Sequence, residues 1–313
     1  MNYIILSIIV PCYNEEENIS IFYKEACNTL EIIGKKNSIL GEFIFVDDGS
    51  RDKTRDILNN LNKEDKRVHY ISFSRNFGKE AAIFAGLSKS KGNYVAIMDA
   101  DLQDPPSLIL EMFEAVSSGG YDCARAKRVT RKGENIMKSF FAKSFYKVMS
   151  KIADVRIEDG ARDFSLMNRK YVEAVLKLSE RIRFSKGIFN WVGFKTKYFG
   201  YENIERSKGD TKWSLIKLFL YALDGIIAFS SKPLIISSVF SCLLFIIALF
   251  LTSFIIVRKL LFGDPVNGWA STMCVILLCG SIQLLTIGIL GQYLARVYTE
   301  VKGRPLYIVK EEE

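Results

Sequence analysis

Three oxygen-bearing side chains follow an apolar run in the first third of the chain. Asp99, Asp101 and Gln103 come directly after Val95–Met98, a run typical of a buried strand. In extended backbone, residues two apart project to the same side, so these side chains are predicted to share one face. Two carboxylates and an amide oxygen suit Mg²⁺ or Mn²⁺, with phosphates of a ligand completing the shell. A metal-free polar turn is the alternative interpretation.

Other acidic side chains near predicted strand ends have capping or turn roles as alternatives to ligand binding. Asp104 precedes two prolines, which favour a first helical turn, so it is predicted to cap the next helix. Asn14 followed by Glu15–Glu17 resembles a second cap with acids in the first turn. Asp47 and Asp48 precede a Gly-Ser turn, and acids at this place often accept hydrogen bonds from ribose or base groups. For Asp48 a turn role is equally open.

The elements that must position these residues alternate between strand and helix. A helical spacing of apolar residues runs from Ile19 to Ile33. Strand-like runs cover Tyr3–Val10, Glu42–Val46, Val68–Ser72 and Tyr94–Met98. The alternation predicts an α/β fold with a mainly parallel sheet covered by helices on both faces, and ligands bind such sheets at the carboxyl ends of the strands. Polar clusters follow all four runs: "PCYNEEEN", "DDGSRDKT", "SRNFGKE" and "DADLQDPP".

Two long uncharged windows indicate a membrane protein. Leu234–Val257 has 24 residues without a charge and Trp269–Ala295 has 27, and both can cross a hydrocarbon core of about 30 Å. Two buried helices of a soluble core are the less favoured alternative. We expect no signal peptide, because the amino terminus leads directly into a strand. Basic residues flank the windows, so a multi-pass protein of the cell inner (plasma) membrane is predicted, with the catalytic domain and both termini cytoplasmic.

The predicted domains are 1–230, a cytoplasmic domain with membrane-surface helices; 231–296, a transmembrane hairpin; and 297–313, a cytoplasmic tail whose acidic end is solvated. The net charge of +8 favours a lipid bilayer, rather than nucleic acid, as partner, since basic residues cluster beside the spans. Met137–Ile152 has an amphipathic pattern that suits a membrane surface or a core-facing helix equally, and Leu215–Phe229 is a second candidate. The six scattered cysteines are predicted to be free thiols.

The chain carries neither GxGxxG nor GxxxxGK[ST], which argues against dinucleotide oxidoreductases and P-loop NTPases. Its motifs "SIIVPCYNEEENI", "FVDDGSRDKT", "MDADLQDPP", "ARDFSLMNRK" and "GILGQYLARVYTEVKGRPLYIV" together resemble the polyisoprenyl-phosphate glycosyltransferases, the dolichol-phosphate mannose synthase-like branch of glycosyltransferase family 2. The resemblance covers nearly the whole chain. It implies a GT-A (Rossmann-like) catalytic domain, amphipathic interface helices and two transmembrane helices. It also implies inverting transfer of a sugar from a UDP-sugar to a polyisoprenyl phosphate such as undecaprenyl phosphate.

The resemblance also implies roles for particular residues. The uridine part of the donor would be held by Pro11, Tyr13, Glu15 and Asp47, with Asp48 nearby. The metal and the diphosphate would be bound by Asp99, Asp101 and Gln103. Asp163 would lie near the sugar and the acceptor. Phosphate contacts would come from the basic residues Arg128, Arg131, Arg206 and Lys212.

Three positions depart from the family pattern: Ser165 replaces a common arginine, Thr211 a common serine and Gln292 a common acid. Serine at position 165 removes a positive charge beside Asp163. Arg162 could replace that charge only if the backbone direction were different. A lipid phosphate is largely anionic at pH 7, so Asp163 is expected to orient the acceptor or stabilise the sugar more than to remove a proton.

Three other functions compete with lipid-phosphate glycosylation. A polysaccharide synthase usually carries a QxxRW segment and more spans, neither of which this sequence shows. A non-catalytic nucleotide-sugar-binding scaffold is disfavoured by the intact acidic residues. A flippase is disfavoured because the spans offer no polar path. The transferred sugar has no readable motif, and the oligomeric state, including a possible homo-oligomer, is open.

Overall fold

The structure is a computed structural model that describes residues 4–37, 39–129, 158, 160–201, 232–262 and 268–313. The chain forms two compact units. The first holds an eight-stranded sheet and includes Arg304–Glu313, and the second holds two long helices. The predicted surface helices at 137–152 and 215–229 lie outside the described residues.

Six strands of the sheet run in one direction and two run against them. The strands are β1 (Ile4–Cys12), β2 (Ile39–Asp47), β3 (Val68–Phe73), β4 (Tyr94–Ile97), β5 (Cys123–Arg128), β6 (Ala161–Asn168), β7 (Thr196–Tyr201) and β8 (Val309–Glu312). Their order is β7-β5-β6-β4-β1-β2-β3-β8. Among the described strands, β6 is antiparallel to β4 and β5, β8 is antiparallel to β3, and the remaining pairs are parallel. The predicted α/β fold with a mainly parallel sheet is confirmed.

Helices cover the sheet. They are α1 (Ile19–Asn37), α2 (Thr54–Glu64), α3 (Lys79–Lys89), α4 (Leu108–Ser117), α5 (Arg169–Leu176) and α6 (Ser185–Trp191) in the first unit, with α7 (Lys232–Phe262) and α8 (Trp269–Lys302) in the second. The predicted apolar face of α1 is buried, and the Phe22 ring meets Phe45 of β2 edge-on at 6.3 Å. In β1, Ile8, Ile9 and Val10 are all fully buried although successive side chains face opposite sides. Both faces of this strand are therefore covered, which explains its unbroken apolar sequence.

The direction of β6 decides where the functional residues meet. β6 is antiparallel to β4, with Ile97 opposite Ser165. The start of β6 therefore lies beside the carboxyl end of β4. Because β1 to β5 share one direction, this end of the sheet collects the loops after those strands together with Arg162 and Asp163.

The acidic carboxyl terminus forms a strand of the sheet, which the prediction of a simple solvated end did not include, although Glu312 and Glu313 are exposed as predicted. β8 pairs antiparallel with β3 and covers the edge that β3 would otherwise expose. The Tyr307 ring stacks on Phe73 at 4.8 Å, and the Tyr70 hydroxyl donates to Glu311 at 2.7 Å. Backbone pairing and ring stacking overcome the repulsion among the neighbouring acids.

Truncation after Leu306 is expected to destabilise the sheet unit. It removes the β8 ladder and uncovers Phe73, which should lower the free energy of unfolding by about 2 kcal/mol or more and promote aggregation through the free edge of β3. Thermal unfolding and size-exclusion chromatography measure both effects. Glu312→Ala is the matched control, because it removes only a solvent-exposed ion pair with Lys89. Equal unfolding temperatures for the truncated and full-length chains would contradict a structural role for β8.

The second unit contains both predicted spans as helices. In α7, Ser237 donates to Thr286 of α8 at 3.3 Å, a polar contact between two apolar helices. Among the described residues, one segment, Leu278–Lys302, is long and apolar enough to cross a membrane. A second transmembrane helix stays a prediction.

Candidate active site

The loops after β1 and β2 are joined by hydrogen bonds. The Asn14 amide donates to Ser50 Oγ, and its side-chain oxygen accepts from the Arg51 amide, both at 2.9 Å. Helix α1 begins at Ile19, so the prediction that Asn14 caps it is wrong. The Glu15 amide donates to Thr54 Oγ1 at 2.9 Å, which fixes Glu15 between the two loops.

Asp47 organises the turn at the end of β2. Its carboxylate is buried and accepts from the Ser50 amide at 2.9 Å and the Ser72 hydroxyl at 2.7 Å. Gly49 follows with φ +69°, and a Cβ there would lie 2.5 Å from the carbonyl carbon of Arg75. Only glycine fits this turn, because both its backbone conformation and the close approach exclude a side chain. A contact from Asp47 to uridine stays a prediction.

Asp48 fixes the loop that precedes α3. Its two oxygens accept from the amides of Phe77 at 2.6 Å and Gly78 at 2.9 Å. Burial raises the pKa of Asp48, although these two amide donors oppose the shift. Both oxygens thus accept from backbone amides, and the turn and ligand-binding roles of Asp48 both stay predictions. These hydrogen bonds also place Lys79, the first residue of α3, at the carboxyl end of the sheet.

Lys79 joins two carboxylates that are far apart in sequence. Its Nζ lies 2.6 Å from Asp99 and 2.7 Å from Asp163. Burial alone would raise the pKa of Asp163, but the positive charge of Lys79 outweighs it and holds that pKa well below the usual range. The Lys79 side chain is 42% exposed. Its partial burial alone would lower its pKa, and the charges of Asp163 and Asp99 raise it instead. Asp163 is therefore ionised at neutral pH.

The segment after β4 is a turn, so the prediction of extended backbone through Gln103 is wrong. The strand ends at Ile97, and Leu102 has a left-handed conformation with φ +55°. The Gln103 amide donates to Asp101 Oδ1 at 3.2 Å, which closes a local Asp turn. The three predicted metal ligands are thus kept in one loop by turn geometry and not by strand alternation.

Arg162 holds this loop from the start of β6. It donates to Gln103 Oε1 at 3.1 Å and to the Tyr201 hydroxyl at 3.2 Å, and lies 3.5 Å from Asp104. Asp104 is buried and also accepts from Tyr201. Helix α4 begins later, after Ser107, so the prediction that Asp104 caps it is wrong. Burial raises the pKa of Asp104, against the effect of Arg162, and burial with the Asp104 charge raises the pKa of Tyr201 to about 12.

The donor set after β4 fits a hard divalent cation. Asp99, Asp101 and Gln103 offer only oxygen atoms, which Mg²⁺ and Mn²⁺ prefer. In the part of the chain that the structure describes, no three His, Cys, Asp or Glu side chains converge on a metal site. Metal binding by this loop, with substrate phosphates completing the coordination shell, stays a prediction.

Residues 7–176 match the family described as glycosyl transferase family 2. This chain belongs to glycosyltransferase family 2. An uncharacterized glycosyltransferase of Synechocystis is 42% identical over 306 residues, 98% of this chain and 95% of the relative. A prophage bactoprenol glucosyl transferase homolog of Escherichia coli is 41% identical over 305 residues, 97% and 98% of the two chains. The bactoprenol glucosyl transferase of Shigella phage SfII is 41% identical over 306 residues, 98% and 97% of the two chains.

These matches confirm the resemblance drawn from the motifs and the predicted enzyme class. The eight-stranded sheet is the GT-A-like α/β fold of a family 2 glycosyltransferase. The matched segment runs from β1 to α5 and so contains the loops after β1 to β4 as well as Arg162 and Asp163.

In this glycosyltransferase a buried positive charge lies on the strand next to Ser165. Arg125 of β5 pairs with Ser165 in the ladder and is fully buried. It donates to the Arg162 carbonyl and to Asn190, both at 3.2 Å, and its Nε has no hydrogen-bond partner among the described residues. After Lys79 and Lys186, it is a further positive charge that lowers the pKa of Asp163. Arg162, which could replace the charge missing at Ser165 only with a different backbone direction, donates instead to Gln103 Oε1 and the Tyr201 hydroxyl.

Arg125→Met is expected to separate stability from activity. A buried guanidinium whose partners are neutral is costly, so an apolar side chain of similar length should leave the unfolding temperature unchanged or higher. Sugar transfer should fall about tenfold, because the Arg162 carbonyl loses its donor and Asp163 a nearby positive charge. Steady-state rates and thermal unfolding test this. Arg125→Lys keeps the charge but lacks the forked donors, so its rate of sugar transfer should lie between those of the wild type and Arg125→Met. A lower unfolding temperature with normal turnover would make Arg125 purely structural.

The structure places the other predicted site residues as follows. Pro11 lies in β1 opposite Val46, and Tyr13 is 39% exposed in the next loop. Arg128 ends β5, and its amide donates to the Gly160 carbonyl at 2.9 Å. Outside the described residues lie Arg131, Arg206 and Lys212. Sequence reasoning missed Lys79, although it lies in the polar cluster after β3, and missed Arg125, which lies in a strand that the sequence analysis did not predict.

Proposed function

We propose that this glycosyltransferase moves a sugar from a UDP-sugar to a polyisoprenyl (undecaprenyl) phosphate at the cytoplasmic face of the membrane, with inversion. One observation carries this proposal: the Lys79 ammonium group contacts both Asp99 and Asp163. Asp99 belongs to the predicted donor loop, and Asp163 to the predicted acceptor side. The names of two relatives, which refer to bactoprenol glucosyl transfer, support the acceptor class and make UDP-glucose the first donor to test.

The donor is held at the carboxyl ends of β1, β2 and β4. Pro11, Tyr13, Glu15 and Asp47 line the uridine end, and the Asp99–Gln103 loop faces the diphosphate. Asp99, Asp101 and Gln103 would hold Mg²⁺ or Mn²⁺, which would neutralise charge on the departing diphosphate. Arg162 sets the direction of the Gln103 side chain, and the Asp turn sets that of Asp101.

The acceptor needs little activation. A lipid phosphate is already largely an anion at pH 7, so its oxygen attacks the anomeric carbon as the bond to UDP breaks. Asp163, ionised beside Lys79, orients the acceptor or stabilises positive charge on the sugar ring. Arg128, Arg131, Arg206 and Lys212 contact phosphate groups of donor or acceptor. The product is a lipid-phosphate-sugar that serves as donor for cell-envelope glycan modification.

The location follows from charge and hydropathy. The inner membrane holds α7 and α8 as a two-helix hairpin, with the catalytic domain and both termini in the cytoplasm and the bilayer supplying the acceptor. Packing between hairpins of neighbouring copies allows a homo-oligomer.

One experiment tests donor, acceptor and metal together. Membranes containing the enzyme are incubated with undecaprenyl phosphate and a panel of UDP-sugars, with and without EDTA, and the lipids are analysed by mass spectrometry. A single EDTA-sensitive lipid-phosphate-sugar, with an inverted anomeric configuration by NMR, is the expected result. Growing polymer would instead indicate a polysaccharide synthase, and donor binding without product a non-catalytic nucleotide-sugar-binding scaffold.

A further inference from the structure

The ammonium group of Lys79 occupies the position beside Asp99 that a metal cation bound by Asp99 would need. Nζ contacts both oxygens of Asp99, at 2.6 and 2.8 Å, while it also reaches Asp163. This position is built by the fold, because Asp48 fixes the two residues before Lys79 through their backbone amides. The Lys79 side chain is 42% exposed, so a molecule entering from solvent can reach the contact.

The net charge around Asp99 and Asp163 depends on whether Lys79 is paired with them. With Lys79 in place, Asp99 and Asp163 carry one net negative charge between them instead of two. A free divalent cation must therefore compete with a covalently tethered cation for Asp99. A cation that arrives with a nucleotide diphosphate brings its own anionic oxygens, and those oxygens give the displaced ammonium a new partner.

We infer that Lys79 is a built-in counter-ion that the divalent metal displaces from Asp99, so that the metal binds weakly alone and tightly only together with the nucleotide diphosphate. This rests on the proposed function in one respect, namely that Asp99 and Asp101 ligate the metal. Lys79 stays paired with Asp163 in both states and thereby links the donor side of the site to the acceptor side. It makes metal and nucleotide binding mutually dependent.

Mn²⁺ binding to the full-length detergent-solubilised protein tests the inference without any turnover. Electron paramagnetic resonance measures free Mn²⁺ in titrations with and without UDP. Lys79→Met is expected to bind Mn²⁺ alone about tenfold more tightly than wild type, and UDP should enhance its Mn²⁺ affinity less. Lys79→Arg keeps the charge and should resemble wild type. Lys79→Gln removes the charge with a polar side chain, so the result does not depend on one variant folding, and thermal unfolding checks all of them.

The controls separate this inference from the metal site itself. If Asp101→Asn binds Mn²⁺ as wild type does, the proposed metal site is wrong and the inference falls with it. If Asp101→Asn loses Mn²⁺ binding while Lys79→Met and Lys79→Gln bind Mn²⁺ alone no more tightly than wild type, the metal site stands and the counter-ion inference is overturned.

Discussion

Replacing Asp101 with asparagine should lower sugar transfer by at least about a thousandfold. The change removes one negative charge from the proposed metal shell but keeps the oxygen that accepts from the Gln103 amide. A bound metal contributes several kcal/mol to stabilising a charged transition state, and each 1.36 kcal/mol is tenfold in rate. Initial rates with purified donor and lipid phosphate measure the effect, and EDTA on the wild-type enzyme should reproduce it until Mg²⁺ or Mn²⁺ is restored.

The matched control for Asp101→Asn is Asp56→Asn, an identical change on the exposed first turn of α2. It should leave the rate within about twofold of wild type, because a surface acid at a helix start contributes only a few tenths of a kcal/mol to stability. Asp99→Ala should be as damaging as Asp101→Asn. Wild-type rates in either variant would show that the loop after β4 does not bind the metal.

Asp163→Asn is expected to reduce turnover by about a hundredfold to a thousandfold with little change in the binding of UDP. The substitution removes the charge that orients the acceptor or stabilises the sugar ring. Deleting one group that stabilises a transition state electrostatically typically lowers the rate by this amount. Asp163→Glu keeps the charge and should recover part of the rate. Single-turnover kinetics and UDP titration separate the two steps. An unchanged single-turnover rate would remove Asp163 from the reaction.

The pH profile adds a second measurement on Asp163. Its pKa is depressed by Lys79, so its carboxylate is lost only as pH falls through a value well below the usual range for aspartate. The wild-type rate should therefore show no acid limb from Asp163 between about pH 5 and 8. If the rate fell towards the acid side of this pH range, and the fall disappeared in Asp163→Asn, the Asp163 carboxylate would titrate within the range.

Much of the fold follows from local pattern. The apolar runs of β1 to β4 and the spacing of α1 are readable because burial on both faces of a parallel sheet, or on one face of a helix, leaves a direct periodic record. The terminal strand β8 left no such record, since its acidic residues read as a solvated tail. Its pairing depends on β3, which is more than two hundred residues away.

The sequence by itself determined that carboxylates gather at the carboxyl ends of successive strands. It identified Asp99 and Asp101 among them by their spacing, and Asp163 by the family motif. Only the tertiary structure decided how they meet. The antiparallel direction of β6 brings Asp163 beside the end of β4. The hydrogen bonds that Asp48 accepts from Phe77 and Gly78 position Lys79 between Asp99 and Asp163. These contacts join residues from distant segments, and no local spacing encodes them, because strand order and direction are set by the packing of the whole sheet.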